Sequence, residues 1–348
     1  MNMRDAMPVL ETDASQGTRL RKPRLGFLGV GWIGRNRMEA IARDGSAEIA
    51  AIADAHADAC EAAAALAPDA ARLNSLDALL DRELDGLVIA TPSALHAQQA
   101  EAALARGLAV FCQKPLARTA AETRGVIDAA RRADRLLGVD LSYRRTAGMR
   151  RIRELVSGGE IGEVYAIDLV FHNAYGPDKP WFRDPVLSGG GCVIDLGIHM
   201  IDLALWTLDF PRVASVSSRL HAGGRRLASS SASVVEDHAV AQIDLAGGAV
   251  VRLACSWNLP AGRDAVIEAS FHGTRGGAAF RNVNGSFYDF VAERFDGTRT
   301  TPLASLPDDW GGRAAVRWTR ALAEGGAFDP EIGRLEEVAA VLDAIYER

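Results

Sequence analysis

The sequence predicts an α/β protein in two parts: a doubly wound parallel sheet, then a second α/β domain with a mainly antiparallel sheet. Three observations predict it. Between residues 24 and 143, short apolar runs alternate with helical patterns over short connections, as expected of parallel strands covered by helices. After residue 143 the texture changes: one helical pattern leads into six strand-like runs, several parted by glycine turns. That suits an antiparallel sheet with helices on one face. The composition is ordinary for a globular protein, with 348 residues, 48% hydrophobic and 24% charged. This length favours two cores over one.

In chain order, "RLGFLGVG" is a strand entering a glycine turn and "WIGRNRMEAIAR" a helix. "AEIAAIAD" is a strand, "ADACEAAAALA" a helix, and "SLDALLDR" a short helix opened by a Ser cap. "LDGLVIAT" is a buried strand ending at Pro92, and "ALHAQQAEAALARG" a helix stopped by Gly107. "LAVFCQKP", "TAAETRGVIDAARRAD" and "LLGVDLSY" follow as strand, helix and strand. In the second part, "AGMRRIRELVSGG" is a helix. The six strands are "VYAIDLVFH", "VASVSSRL", "HAVAQIDLA", "GAVVRLACSW", "VIEASFHG" and "GGAAFRN". The tail "IGRLEEVAAVLDAIYER" is a helix. The expected divisions are a loose extension at 1–22, a first domain at 23–142, a second at 143–327 and a closing helix at 328–348.

The net charge of −6 points to no nucleic-acid or anionic-membrane partner. No apolar run reads as long enough to span a membrane. The basic-then-apolar stretch at 19–34 is broken by glycines and followed at once by Arg35 and Arg37, so it is not a signal peptide. Cys60, Cys112, Cys192 and Cys255 lack metal or redox spacing and read as reduced cysteines of a cytoplasmic protein.

Residues 29–34 read G-x-G-x-x-G: Gly29, Val30, Gly31, Trp32, Ile33, Gly34. The motif follows a strand and opens a helix, the context that makes it a dinucleotide fingerprint. Gly29 allows the tight turn, Gly31 the approach of a pyrophosphate, and Gly34 close helix–strand packing. The first part is therefore a Rossmann domain, with free N–H groups at the helix start for phosphate oxygens. Asp54 ends the second strand, where it accepts from ribose hydroxyls and repels a 2′-phosphate. This favours NAD, with NADP the alternative because Arg43 and His56 are near. Thr91 and Pro92 mark the carboxyl edge where such a sheet binds its ligand. His96 faces the cofactor or lies exposed on the next helix.

Lys114 lies at that same edge, before Pro115, which restricts its backbone to extended conformations. The segment "GGGCVIDLGIHMIDLALWTL" is apolar except for Asp195, His199 and Asp202. At about 100° per residue these three fall within roughly 60° of one helical face. Such a stripe on a buried helix faces a cavity or a partner, since unpaired buried charge is costly. A capped structural network is the competing reading. A divalent-metal site is weaker, because no second histidine or cysteine supports it; none is expected. The preceding loop holds His172, Asn173, Tyr175, Trp181 and Arg183, donors and aromatics suited to a carbohydrate or cyclic polyol. Tyr143 and Arg144 are similar candidates.

Taken together, the glycine motif, "QKP" at 113–115 and "GGGCVIDLGIHMIDLALW" resemble the glucose–fructose oxidoreductase/inositol dehydrogenase/MocA family. The resemblance runs from about residue 24 to the last helix. It implies a large open antiparallel sheet in the second domain, a final helix packed back on the Rossmann domain, and a homodimer or homotetramer joined through that sheet. The family's Glu-Lys-Pro lysine touches substrate and nicotinamide; Lys114 matches it, while Gln113 replaces the usual glutamate beside the cofactor. The family's D-x-x-x-H supplies an acid and a base, here Asp195 and His199.

The implied activity is oxidation of a secondary hydroxyl of a sugar, sugar derivative or inositol-like polyol by NAD(P). His199 serves as base, alone or with Lys114, because an unperturbed imidazole pKa of ~6.5 suits the task. Lys114 stabilises the developing alkoxide, and Asp195 orients His199 or holds a neighbouring hydroxyl. Asp202 contacts substrate or supports the helix. Alternatives are glycoside cleavage through transient oxidation, and a dinucleotide-binding regulator without turnover.

Overall fold

The computed structural model describes residues 21–227 and 233–348. Apart from residues 21 and 22, the N-terminal extension lies outside the described residues. The first domain contains β1 (Arg24–Leu28), α1 (Trp32–Asp44), β2 (Glu48–Ala53), α2 (Ala57–Ala64), β3 (Ala71–Leu73) and α3 (Leu76–Leu80). It continues with β4 (Gly86–Ile89), α4 (Ser93–Ala105), β5 (Ala109–Cys112), α5 (Ala120–Ala133) and β6 (Leu137–Val139). The strands form one parallel sheet in the order β3-β2-β1-β4-β5-β6. All four residues of β4 and of β5 are buried, as a sheet covered on both faces requires. The strand order reverses between β1 and β4, and the crevice outside their carboxyl ends is where such sheets bind ligands. The sheet has one strand more than the sequence shows. β3 is three residues long and only partly buried, too short to display a period.

The second domain begins with α6 (Ala147–Ser157) and β7 (Val164–Asn173), then a one-turn helix, α7 (Pro185–Ser188). A π-helical turn (Val193–Gly197) runs directly into α8 (Ile198–Thr207). Strands β8 (Val213–Ala222), β9 (Arg225–Arg226), β10 (His238–Leu245), β11 (Val250–Ser256), β12 (Ala265–Gly273), β13 (Gly276–Asn282), β14 (Phe290–Asp296) and β15 (Arg299–Ala304) follow. They form a nine-stranded sheet, β15-β14-β13-β12-β7-β11-β10-β8-β9, antiparallel throughout except for the parallel pair β7–β11. The apolar face packs under α6 and α8 in one core that includes Phe171, Ile201 and Phe271. The opposite face is open and exposes Tyr165 and Val240.

The chain then returns to the first domain. Helix α9 (Arg313–Ala323) lies along α1, and its Trp318 packs on Phe111, with ring centroids 5.7 Å apart. A Cβ on Gly86 would come within 2.8 Å of that indole, and one on Gly138 within 2.7 Å. Helix α10 (Leu335–Ile345) wedges between α5, α8 and β8. One 23-residue stretch, Pro185–Thr207, is long and apolar enough to cross a membrane, which corrects the sequence expectation. Its most apolar 18-residue window is 78% buried within the protein, and the stretch takes in α7, the glycine segment and the core helix that carries the polar stripe.

Candidate active site

A cavity of about 720 Å³ opens between the carboxyl edge of the parallel sheet and the helical layer of the second domain. Its first wall is the glycine turn. Gly29 takes φ +83°, and a Cβ there would lie 2.6 Å from the Ala90 carbonyl oxygen. A Cβ on Gly34 would lie 2.1 Å from the Gly29 carbonyl, so α1 packs on β1 only because this residue is glycine. A Cβ on Gly31 would meet nothing within 4 Å, which leaves open backbone for a pyrophosphate. Helix α1 starts without a side-chain cap and without an acid in its first turn, so its free N–H groups suit an anion. Asp54 closes β2, and its carboxylate accepts from the Val30 N–H at 2.8 Å and the His56 N–H at 2.9 Å. These features fit a dinucleotide: Gly31, Trp32 and Ile33 would hold its pyrophosphate region and Asp54 its ribose.

Thr91, Pro92, His96, Gln113 and Lys114 form the next wall. His96 is buried rather than exposed on α4. Its ring nitrogens lie 2.7 Å from the Pro115 and Thr91 carbonyl oxygens, tying two strand ends together, and burial lowers its pKa. Gln113 donates to Asp140 Oδ2 at 2.6 Å, and Arg37 Nε donates to the same oxygen at 2.5 Å. The buried carboxylate here thus belongs to Asp140, which the Gln113 amide supports as a donor.

Lys114 Nζ crosses the cavity to Asp195, donating to its Oδ1 at 2.8 Å and its backbone carbonyl at 2.6 Å. The other carboxylate oxygen accepts from Trp257 Nε1 at 3.1 Å. Asp195 sits in the π-helical turn, a distortion that recurs at functional sites. Glu236 holds the start of that turn. Its carboxylate accepts from the Gly191 and Val193 N–H groups, both at 2.9 Å, and from the Tyr346 hydroxyl at 2.8 Å. His199 follows one turn later and lines the same cavity. Its Nδ1 is buried without a hydrogen-bond partner among the described residues. Burial, then the charges of Lys114 and Arg37, hold its pKa well below the usual value, so the ring is neutral at pH 7. The ring packs edge-to-face with Tyr143, 4.9 Å between centroids.

Of the residues singled out by sequence, the cavity brings together Lys114, Asp195, His199, Tyr143 and Trp181 with the cofactor wall. It leaves out Asp202, Arg144, His172, Asn173, Tyr175 and Arg183 and, of the cofactor candidates, Gly29, Gly34 and Asp54. Asp202 is buried and takes a bidentate ion pair from Arg144, with Nε to Oδ2 at 2.7 Å, so neither lines the cavity. His172 lies elsewhere, 2.8 Å from the Ser256 hydroxyl and stacked on His238. Among the described residues no three His, Cys, Asp or Glu side chains converge as a metal site. Arg37, Asp140, Trp257, Glu236 and Tyr346 escaped the sequence reading. Only Asp140, an acid closing an apolar strand, carried a local signal.

The family model for oxidoreductases with an NAD-binding Rossmann fold matches residues 23–141, and the GFO/IDH/MocA C-terminal domain model matches 149–279. The chain is 30% identical to D-glucoside 3-dehydrogenase of Escherichia coli over 58% of its own length and 60% of that protein's. It is 28% identical to levoglucosan dehydrogenase of Pseudarthrobacter phenanthrenivorans over 77% and 78% of the two chains. A solved structure of levoglucosan dehydrogenase with NADH and levoglucosan superposes with a TM-score of 0.79 at 25% identity, covering 94% of this chain and 97% of that one. The chain is an oxidoreductase with an NAD-binding Rossmann domain, and it belongs to the GFO/IDH/MocA family.

Proposed function

We propose that this protein oxidises a secondary hydroxyl of a sugar, sugar derivative or inositol-like polyol, with His199 as base and Lys114 and Asp195 beside it. The observation that carries the reading is the neutral imidazole of His199 lining the same cavity as a lysine already aimed by a carboxylate. NAD, when bound, accepts the hydride. The protein's own groups handle the proton: His199 takes it from the substrate hydroxyl, a step worth about 10²–10⁴-fold. Lys114 donates to the oxygen as it gains negative charge. Asp195, shared between Lys114 and Trp257, keeps the ammonium in place. Of the two roles expected of Asp195, orienting His199 or holding a neighbouring hydroxyl, the first has no hydrogen bond to support it, since the carboxylate bonds Lys114 and Trp257.

NAD is favoured over NADP because the Asp54 carboxylate stands at the ribose position and would repel a 2′-phosphate. We assign the enzyme to the cytoplasm, supported by four free cysteines. The open sheet face supports a homodimer or homotetramer, which light scattering reads directly. His199→Ala is expected to slow single-turnover NADH formation 10²–10⁴-fold with NAD affinity unchanged. Undiminished turnover on any accepted substrate rejects the assignment.

A further inference from the structure

The first four N–H groups of a helix have no partner within it. In the segment that carries Asp195 they belong to Gly191, Cys192, Val193 and Ile194. Asp195 is the first residue to donate inside the segment, to the Gly191 carbonyl at 3.1 Å. Glu236 takes three of the four donors: Gly191 and Val193 on its carboxylate, and Cys192 on its backbone carbonyl at 3.1 Å. The Tyr346 hydroxyl takes the fourth, from Ile194 at 3.1 Å, and itself donates to Glu236. Both side chains are buried. Two glycines make room for them. A Cβ on Gly190 would lie 2.2 Å from the Tyr346 hydroxyl, and one on Gly191 would lie 1.9 Å from the Glu236 carbonyl oxygen.

The end of α10 also reaches the Lys114 side. Arg348 donates to the Gly189 carbonyl at 2.7 Å and to the Arg118 carbonyl at 2.6 Å. Asp343 accepts from the Ala120 N–H at 2.8 Å. One helix end therefore ties the residue just before Asp195 to the chain that leaves Lys114. The residue after Glu236 seats the remaining partner: the Asp237 carbonyl accepts from the Trp257 N–H at 2.7 Å, and the Trp257 indole holds the second Asp195 oxygen.

We propose that Glu236 and Tyr346 are positioning residues, which fix the Asp195 carboxylate against Lys114 and so aim the ammonium at the substrate oxygen. Neither lines the cavity; both act through Asp195. The aim at a substrate rests on the sugar-oxidoreductase reading above, whereas the hold on Lys114 does not.

The test uses the full-length protein without substrate. The chain has three lysines, Lys22, Lys114 and Lys179, and the other two are exposed. Pairing with a carboxylate keeps an amine protonated and slow to acylate. Trace acetylation with acetic anhydride, read by mass spectrometry, therefore reports Lys114 against two internal references. Asp195→Asn gives the ratio for Lys114 without its carboxylate. Tyr346→Phe and Glu236→Gln are each expected to raise the Lys114 ratio about fivefold or more, towards that of Asp195→Asn. Val341→Ala loosens the buried face of α10 and leaves both hydrogen-bonding side chains in place. It is expected to lower the urea midpoint with the ratio unchanged. On an accepted sugar, Tyr346→Phe is expected to lower kcat about tenfold with KM for NAD unchanged. A folded variant with an unchanged ratio overturns the role of the residue it replaces. A rise in Val341→Ala as large as in Tyr346→Phe overturns the proposal as a whole. A wild type that reduces NAD with no sugar rejects the sugar reading, and the ratio still decides whether Glu236 and Tyr346 hold Lys114.

Discussion

Seven residues apart on one buried segment, Asp195 and Asp202 each hold a cation from much earlier in the chain, Lys114 from the first domain and Arg144 from just beyond it. Their settings differ. The Asp195–Lys114 pair keeps 15% and 19% of its side-chain surface open, lines the cavity and rides on a π-helical turn. Asp202 keeps 2%, sits in regular α-helix and is sealed by a bidentate guanidinium that also lies over Trp206 and Phe210. The same kind of charge in the same stretch therefore serves two ends. A lysine with three rotatable donors and an open flank can transfer its hydrogen bond to a substrate oxygen. A planar guanidinium locked on both carboxylate oxygens and outside the cavity has no donor aimed at a substrate.

Breaking each pair in turn separates the two roles. Lys114→Met should cost the most in rate, lowering kcat/KM by about 10²–10⁴-fold. Its stability loss should be the smaller of the two, because water can enter the cavity and solvate Asp195. Arg144→Met should do the reverse. It strands a buried carboxylate, and breaking such pairs costs about 3–5 kcal/mol, read as a shift of the urea midpoint at constant slope. Activity per folded molecule should survive. Adding Asp202→Leu to Arg144→Met should recover most of that loss, since apolar replacement of a whole buried pair is often neutral. Failure of the double variant to recover, together with lost turnover, would move Asp202 into the chemistry.

The same contrast shows what a linear sequence reveals. The glycine turn, Lys114 at a strand end and the D-x-x-x-H spacing are local features, so the dinucleotide wall and the reactive residues were legible. A stripe drawn at one angle per residue could not separate Asp202 from Asp195, because the π-helical turn changes the helical repeat and the Arg144 partner comes from 58 positions away. Trp257 and Tyr346 reach the site across 62 and 152 positions, and no local pattern carries such contacts. Strands β14 and β15 were missed because they are partly polar and β15 contains Pro302, which weakens a strand pattern. Helix α9 could have been found: Ala314, Ala315, Trp318 and Thr319 form its buried face at helical spacing.

The smallest expected effect is in the pH dependence of stability, and it sets the two regions against each other in sign. Burial, with Lys114 and Arg37 nearby, holds His199 below its ordinary pKa. The unfolded chain therefore binds the extra proton first. Stability should fall as pH drops below about 6.5 towards the folded value, by at most about 1.4 kcal/mol per pH unit for one group. Burial instead raises Asp202, against the pull of Arg144. That carboxyl keeps its proton longer in the folded state, so its contribution falls as pH rises from the unfolded value near 3.9. His199→Gln should flatten the decline between pH 6.5 and 5 without altering stability at pH 7.5, measured by urea denaturation at each pH. Asp202→Asn should change the slope with the opposite sign, starting at the unfolded carboxyl value near 3.9. Parallel curves for wild type and His199→Gln would mean that His199 is solvated and titrates normally, and the case for a neutral, cavity-facing base would lose its electrostatic support.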